Sequence, residues 1–214
     1  MKYSQNSFSR FIPILLVIVI TIVAVAAVIA IGQSLFGGGD KQSDDISQVD
    51  IGRESLLSSD VSRSVSLTVR GPIVADESFR SYKITVSPSS RVMTTYEGYL
   101  EKEIDSKKLD NNTKAYEELV YALDKRKMME GTELTPEQND LRGICATGKV
   151  YMFETLMNDQ VVKSLWTSDC SGSKGSALAS VDEIMDMFIK QIPDGNKMAS
   201  SVGLGVQDSL LFRL

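Results

Sequence analysis

The chain has 214 residues, with 23 Lys and Arg against 28 Asp and Glu, and it contains no histidine. The missing imidazole excludes Ser-His-Asp and Cys-His nucleophile systems, His-ligated zinc and the common non-haem iron triad. Two cysteines are too few for an all-thiolate zinc or iron–sulfur site in one chain, so neither a metal nor a cofactor is expected.

Residues 11–31, FIPILLVIVITIVAVAAVIAI, carry no charge and one polar side chain, Thr21. About 20 helical residues cross a ~30 Å hydrocarbon core, and apolar character on every face is unlike a helix of a soluble core. The expectation is a transmembrane helix over residues 11–32, with the lipid bilayer as its partner. Lys2 and Arg10 precede it, while Asp40, Lys41, Asp44 and Asp45 follow. The positive-inside rule then leaves residues 1–10 in the cytoplasm and everything after the helix outside, a single-pass cell-membrane protein. Ala24-Val25-Ala26 and Ala30-Ile31-Gly32 also suit a leader-cleavage site, but the apolar run exceeds the ~7–15 residues of a secretory leader, which favours an uncleaved anchor.

Residues 33–62 include GGGDKQSDDISQ, poor in large apolar side chains, and read as a flexible linker in which Ile51–Leu57 is the one stretch able to form a short helix. The extracytoplasmic domain is expected over 63–214. Its first segments alternate cleanly: Val65, Leu67 and Val69, then Tyr82, Ile84 and Val86, each set interleaved with polar residues. With RVMTTYEGY after the Pro88-Ser89-Ser90 turn, they predict at least three antiparallel strands with one buried face. After Asp110–Thr113, the spacing of Tyr116, Leu119, Val120 and Leu123 predicts an amphipathic helix running to about Met129. Glu130–Gly143 reads as a polar loop with a helical turn after Pro136.

GKVYMFETLM and QVVKSLWTSD flank Asn158-Asp159, a hairpin signature. With a two-residue turn Cys170 faces Thr147, two positions from Cys145, so a bulge or longer loop is needed, with Gly143 and Gly148 placed to permit it. In an oxidising compartment Cys145 and Cys170 are expected to pair. A reactive Cys170 is disfavoured by its neighbour Asp169. Ser180 and Glu183 form a capping-box pattern opening a second helix with Ile184, Met187, Phe188 and Ile192 inward, ended by Pro193-Asp194-Gly195. The tail SVGLGVQDSLLFRL is apolar enough to form a last strand or to pack on the sheet. The fold class is α+β: an N-terminal transmembrane helix, a flexible linker, then an antiparallel sheet with two helices packed on one face.

Removing Lys2 and Arg10 leaves 21 basic residues against 28 acidic ones, a formal net charge of −7 that is unsuited to nucleic acid. Glu101, Glu103 and Asp105, and Asp182, Glu183 and Asp186, lack calcium-loop spacing and read as solvated or helix-capping carboxylates. Ser89, Ser90 and Ser173 with Lys174 supply material for Ser/Lys chemistry, but no motif fixes any of them. No catalytic residue is assigned. Trp166, Tyr151 and Phe212 are the aromatic candidates for a binding surface, whose partner would be another envelope protein or a host-surface protein. An envelope enzyme using Ser/Lys or paired carboxylates is the alternative.

TVRGPIVADESFRSYKITVSPSSR, with GKVYMFETL, LWTSDC and QIPDG, resembles uncharacterised exported, membrane-anchored proteins of the Saccharibacteria type. That resemblance implies a bacterial origin and no activity. The layout of apolar N-terminal helix, sheet and late disulfide also looks like a type IV pilin. It departs from one at Arg10-Phe11, where the processing pair is Gly-Phe, at Leu15, where a glutamate belongs, and at Gly37–Gly39, which interrupts the helix.

Overall fold

The computed structural model describes residues 50–205. The predicted anchor over 11–32, Lys2, Arg10, most of the predicted linker and Phe212 lie outside the described residues. Among the described residues no helix is long and apolar enough to cross a membrane.

Six strands, β1 Arg63–Arg70, β2 Arg80–Val86, β3 Ser90–Glu97, β4 Lys102–Asp110, β5 Val150–Met157 and β6 Gln160–Ser168, form one antiparallel sheet in the order β4-β3-β2-β1-β5-β6. Period-two alternation fixes the register. Leu67 pairs with Ile84 on one side and Phe153 on the other, and Val69 pairs with Tyr82 and Tyr151, so one sheet face carries a continuous apolar block. Four helices, α1 Ile51–Leu57, α2 Thr113–Lys125, α3 Val181–Ile189 and α4 Gly195–Ser201, contribute to the core on this face. Each large side chain fully buried there contributes roughly 1.5–3 kcal/mol.

The predicted stripe of α2 is buried as expected, and Asn112 Oδ1 accepts from Ala115 N at 3.0 Å to cap it. The helix ends sooner than predicted, at Lys125. Lys127 then takes a left-handed conformation (φ 61°), which turns Met128 and Met129 back into the core. Ser180 is the N-cap residue of α3, but its side chain makes no capping bond. Glu183 instead meets Arg126 Nε at 2.7 Å, and Met185 and Ile189 complete the buried stripe where Met187 was expected. α3 ends at Ile189, ahead of Pro193-Asp194-Gly195, and Asp194-Gly195 then opens a separate helix, α4, followed by a turn at Gly203 (φ 73°).

Two elements differ more from the sequence reading. β4 is an edge strand exposed along most of its length, so its sequence KEIDSKKLD lacks the apolar alternation that marks its neighbours. The segment 51–57, placed in the linker by its polar surroundings, is a capped helix docked on the domain. Leu56 is fully buried, Asp50 accepts from Gly52 N and Arg53 N, Arg53 pairs with Asp124 at 2.8 Å, and Lys163 reaches Asp50 at 3.1 Å. Ordered structure therefore begins before residue 63.

Candidate functional site

The sheet face away from the helices is the unusual part of the molecule. It carries Ser64, Ser66, Thr68 and Arg70 of β1 beside Ser81 and Lys83 of β2 and Met152 and Glu154 of β5. The long connection between α2 and β5 folds over the β5–β6 side of this face, where Leu134, Leu141, Ile144 and Cys145 pack with Val150, Met152 and Trp166 in a second, smaller core. Trp166 Nε1 donates to Asn139 Oδ1 at 2.8 Å, which holds the loop's helical turn over the indole. That turn lies where predicted after Pro136, braced by Thr135 N to Gln138 Oε1 (3.1 Å) and Gln138 N to Thr135 Oγ1 (3.4 Å), a reciprocal cap the sequence reading had placed at Ser180.

The disulfide lies at the edge of this core. Cys145 and Cys170 are bonded, with Cα atoms 5.4 Å apart. Asn158 (φ 50°) and Asp159 (φ 61°) form the two-residue turn the sequence predicts. A bulge is present between Thr155 and Leu156, but it moves the pairing the other way, aligning Val150 with Ser168 and hence Cys170 with Gly148. Closure comes instead from the chain doubling back before β5: Cys145 is itself left-handed (φ 52°), and Gly148 N donates to Cys145 O at 3.3 Å. Gly148 serves by lacking a side chain, because a Cβ there would stand 2.8 Å from Cys145 Sγ and 3.4 Å from Cys170 Sγ.

The aromatic candidates separate. Trp166 points to the loop-covered face and Tyr151 to the helix-covered face, and both are buried. Burial pushes the Tyr151 hydroxyl above the ordinary phenol range, reinforced by Asp169, whose Oδ2 lies 3.3 Å from Tyr151 Oη. Neither ring offers a free surface, and Phe212 lies outside the described residues. The serines proposed for Ser/Lys chemistry also find structural roles: Ser87 Oγ bonds the backbone and hydroxyls of Ser89 and Ser90 in the β2–β3 turn. Ser173 O accepts from Ser168 Oγ. Of the acidic candidates, Glu183 engages Arg126 and Asp186 engages Lys190 at 2.6 Å. Among the described residues no group of three or more His, Cys, Asp or Glu is placed to hold a metal ion.

Sequence reasoning missed two features. On the polar face, Ser66 Oγ donates to Glu154 Oε2 at 2.9 Å and Lys83 Nζ reaches the same oxygen at 3.4 Å, a cluster bridging β2, β1 and β5. Ser66 is fully buried and its hydroxyl is committed to Glu154, so it cannot reach a substrate carbonyl. The cluster stitches strands together. Its members were legible only as the polar half of three alternating strands.

The second feature is the loop end of the sheet, where β1, β3 and β6 finish. Ile73 N donates to Ala146 O at 2.9 Å, Tyr99 Oη donates to Val74 O at 2.7 Å, and Tyr99 N donates to Asp76 Oδ1 at 2.7 Å. These bonds tie together the loops after β1, after β3 and before β5. Phe79 and Tyr99 stack with ring centroids 4.2 Å apart, and the Arg70 guanidinium lies over Phe79 at 5.4 Å. The result is a shallow cleft of about 230 Å³ lined by Arg70, Ile73, Phe79, Tyr99, Leu141 and Ile144. It continues through Arg70 and Leu141 into a polar cleft of about 240 Å³ over Thr68, Ser81, Lys83 and Glu154. Ile73, Val74 and Tyr99 stay more than two-fifths exposed, and Leu100 beside them is 94% exposed. Arg142 at the rim is engaged by Asp140, whose carboxyl its guanidinium holds down to about 2. Arg70 makes no ion pair among the described residues.

No protein-family model matches the chain, and no curated protein matches it.

Proposed function

We propose that the chain is a membrane-anchored binding module of a bacterial cell envelope. Residues 11–32 span the bilayer, the N-terminus stays in the cytoplasm, and the α+β domain stands outside and recognises a protein partner with the loop end of its sheet. The anchor rests on the apolar run between Lys2, Arg10 and the acidic residues that follow it. The Cys145–Cys170 bond suits an oxidising compartment.

One observation carries the binding reading: Ile73 and Val74 after β1 and Tyr99 and Leu100 after β3 stay at the surface, in loops fixed by hydrogen bonds, instead of being turned inward. Such a patch costs solubility unless something covers it. The clefts are open and smaller than the ~300–1,000 Å³ typical of small-molecule sites, so a protein surface fits them better than a substrate. In-cell crosslinking tests this. A reproducible neighbour recovered with the wild-type chain should be lost with Ile73→Asp and Leu100→Asp; Leu100 is 94% exposed, so Leu100→Asp should also leave the unfolding midpoint unchanged. Recovery of the same neighbour at the same yield from the variants sinks the proposal.

A further inference from the structure

Arg70 stands where the two clefts meet, lining the apolar one with Ile73, Phe79 and Tyr99 and the polar one with Thr68 and Glu101. It is half-buried, and its guanidinium lies over Phe79, whose ring stacks in turn on Tyr99. The neighbouring cations are matched: Lys83 has Glu154 at 3.4 Å, Arg80 has Glu97 at 3.3 Å, and Arg142 has Asp140. Arg70 has no carboxylate among the described residues. Glu154 cannot serve it, being committed to Ser66 and Lys83 and paired four positions along β1 from Arg70, ~13 Å at the rise of a strand. Glu101, the acid on the polar wall, makes no ion pair among the described residues either, but it is exposed and water satisfies it. A half-buried guanidinium gains more from a counter-charge than an exposed carboxylate does, because less water screens the pair.

We infer that the partner docks through an extended segment that sets an Asp or Glu side chain on Arg70 and the large apolar side chain beside it against Ile73 and the Phe79–Tyr99 stack. The inference rests on the binding reading above and names the chemistry that the site selects. A carboxylate matches a guanidinium through two parallel N–H···O bonds, and a cation already held over an aromatic ring loses little further freedom on pairing. The cleft runs on past Arg70 into its polar half, so the bound segment continues on both sides of the acid. An internal Asp or Glu allows that, and a chain-terminal carboxylate does not. One carboxylate fits better than an acidic run or a phosphate dianion: a single guanidinium is unmatched, and 28 acidic residues against 23 basic ones repel a strongly negative partner.

The test selects short random displayed peptides on the full chain in lipid nanodiscs, with the Leu100→Asp chain as counter-selection. Peptides enriched on the wild-type chain should share an Asp or Glu next to a large apolar residue. Replacing that acid by its amide should weaken binding to the wild-type chain about three- to tenfold, between the value of an exposed ion pair and that of a buried charge-assisted bond. The same replacement should change binding to Arg70→Gln by less than about twofold, and selection on Arg70→Glu should enrich Lys or Arg in place of the acid. The amide comparison on the wild-type chain needs no protein variant, so it decides the matter whether or not the Arg70 variants fold. Amide peptides that bind as tightly as the acids, or acidic peptides that bind Leu100→Asp equally well, overturn the inference. Enriched peptides that share no acid but depend on Leu100 overturn it while leaving the binding reading intact. Enrichment of no peptide also overturns it, and the binding reading is then decided separately by the in-cell neighbour.

Discussion

Trp166 and Asn139 are 27 residues apart in sequence, and the indole Nε1 of the first donates to the side-chain oxygen of the second at 2.8 Å. This bond pins a polar loop over an otherwise open sheet face, and it engages the chain's one tryptophan. Asn139→Ala leaves a buried indole N–H without its partner, which costs about 1–3 kcal/mol. The expected result is a lower denaturant midpoint together with a red-shifted native emission, as water reaches Trp166. A lower midpoint with unshifted emission would mean that the loop stays closed without the bond.

The Cys145–Cys170 bond closes a loop with a sequence separation of 25. In the chain-entropy model such a closure is worth about 3.5 kcal/mol. Cys145→Ala with Cys170→Ala should therefore lose about that much stability by equilibrium unfolding while keeping the six-stranded sheet, because the main core on the helix face includes neither cysteine. Free thiols in the native chain would contradict the pairing.

Gly175 sits at φ 69°, and a Cβ on it would stand 2.1 Å from Trp166 O and 2.7 Å from the indole Cε3. The neighbouring Ser176 Oγ accepts from Trp166 N, so the backbone at Gly175 cannot easily back away from β6. Gly175→Ala combines a left-handed conformation with a clash against backbone, and a loss of about 2 kcal/mol or more is expected. Gly172→Ala, where nothing lies within 4 Å, is the control that should stay within about 0.5 kcal/mol of wild type.

The elements legible from sequence were those whose local pattern and tertiary role agree. β1 and β2 send their alternate apolar residues into the core on the helix face, α2 buries its i, i+3, i+4 stripe, and Asn158-Asp159 takes the positive φ angles its hairpin requires. β4 was missed because an exposed edge strand has little to bury, and its three lysines suit an edge that must resist further pairing. The helix at Ile51–Leu57 was read as spacer because Leu56 alone carries its core contact, the rest of its docking being ionic through Arg53 and Asp50. The cleft was illegible for a different reason. Its walls come from three loops separated by tens of residues, and the bonds of Tyr99 to Val74 and Asp76 and of Ile73 to Ala146 reveal that they meet.

Glu154 is nearly buried and accepts from both Ser66 and Lys83. Glu154→Ala strands the Ser66 hydroxyl in a buried setting and should cost about 1–3 kcal/mol. Ser66→Ala in the same chain removes the stranded group, so the double variant should be less destabilised than the sum of the singles, with a coupling of about 0.5–3 kcal/mol. Additive losses would show that the two side chains do not share a bond.

Tyr82 and Tyr116 are fully buried on the helix face, and neither hydroxyl has a hydrogen-bond partner among the described residues. Burial raises the folded-state pKa of both, and of Tyr151, above that of an unfolded tyrosine. The phenolate is the disfavoured form, so the stability these groups contribute is intact below the unfolded value of about 10. It is lost as pH climbs from there toward the folded values, at up to about 1.4 kcal/mol per pH unit for each ring. Denaturant midpoints should therefore be insensitive to these groups from neutral pH to about 9 and should fall steeply above about 10, with tyrosinate absorbance appearing together with unfolding and not before it. Tyr82→Phe removes an unsatisfied hydroxyl without removing the ring. It should leave stability at neutral pH equal or slightly higher and make the alkaline fall shallower. A clear loss at neutral pH would mean that the Tyr82 hydroxyl has a partner, such as a buried water, and the alkaline argument would then rest on Tyr116 and Tyr151.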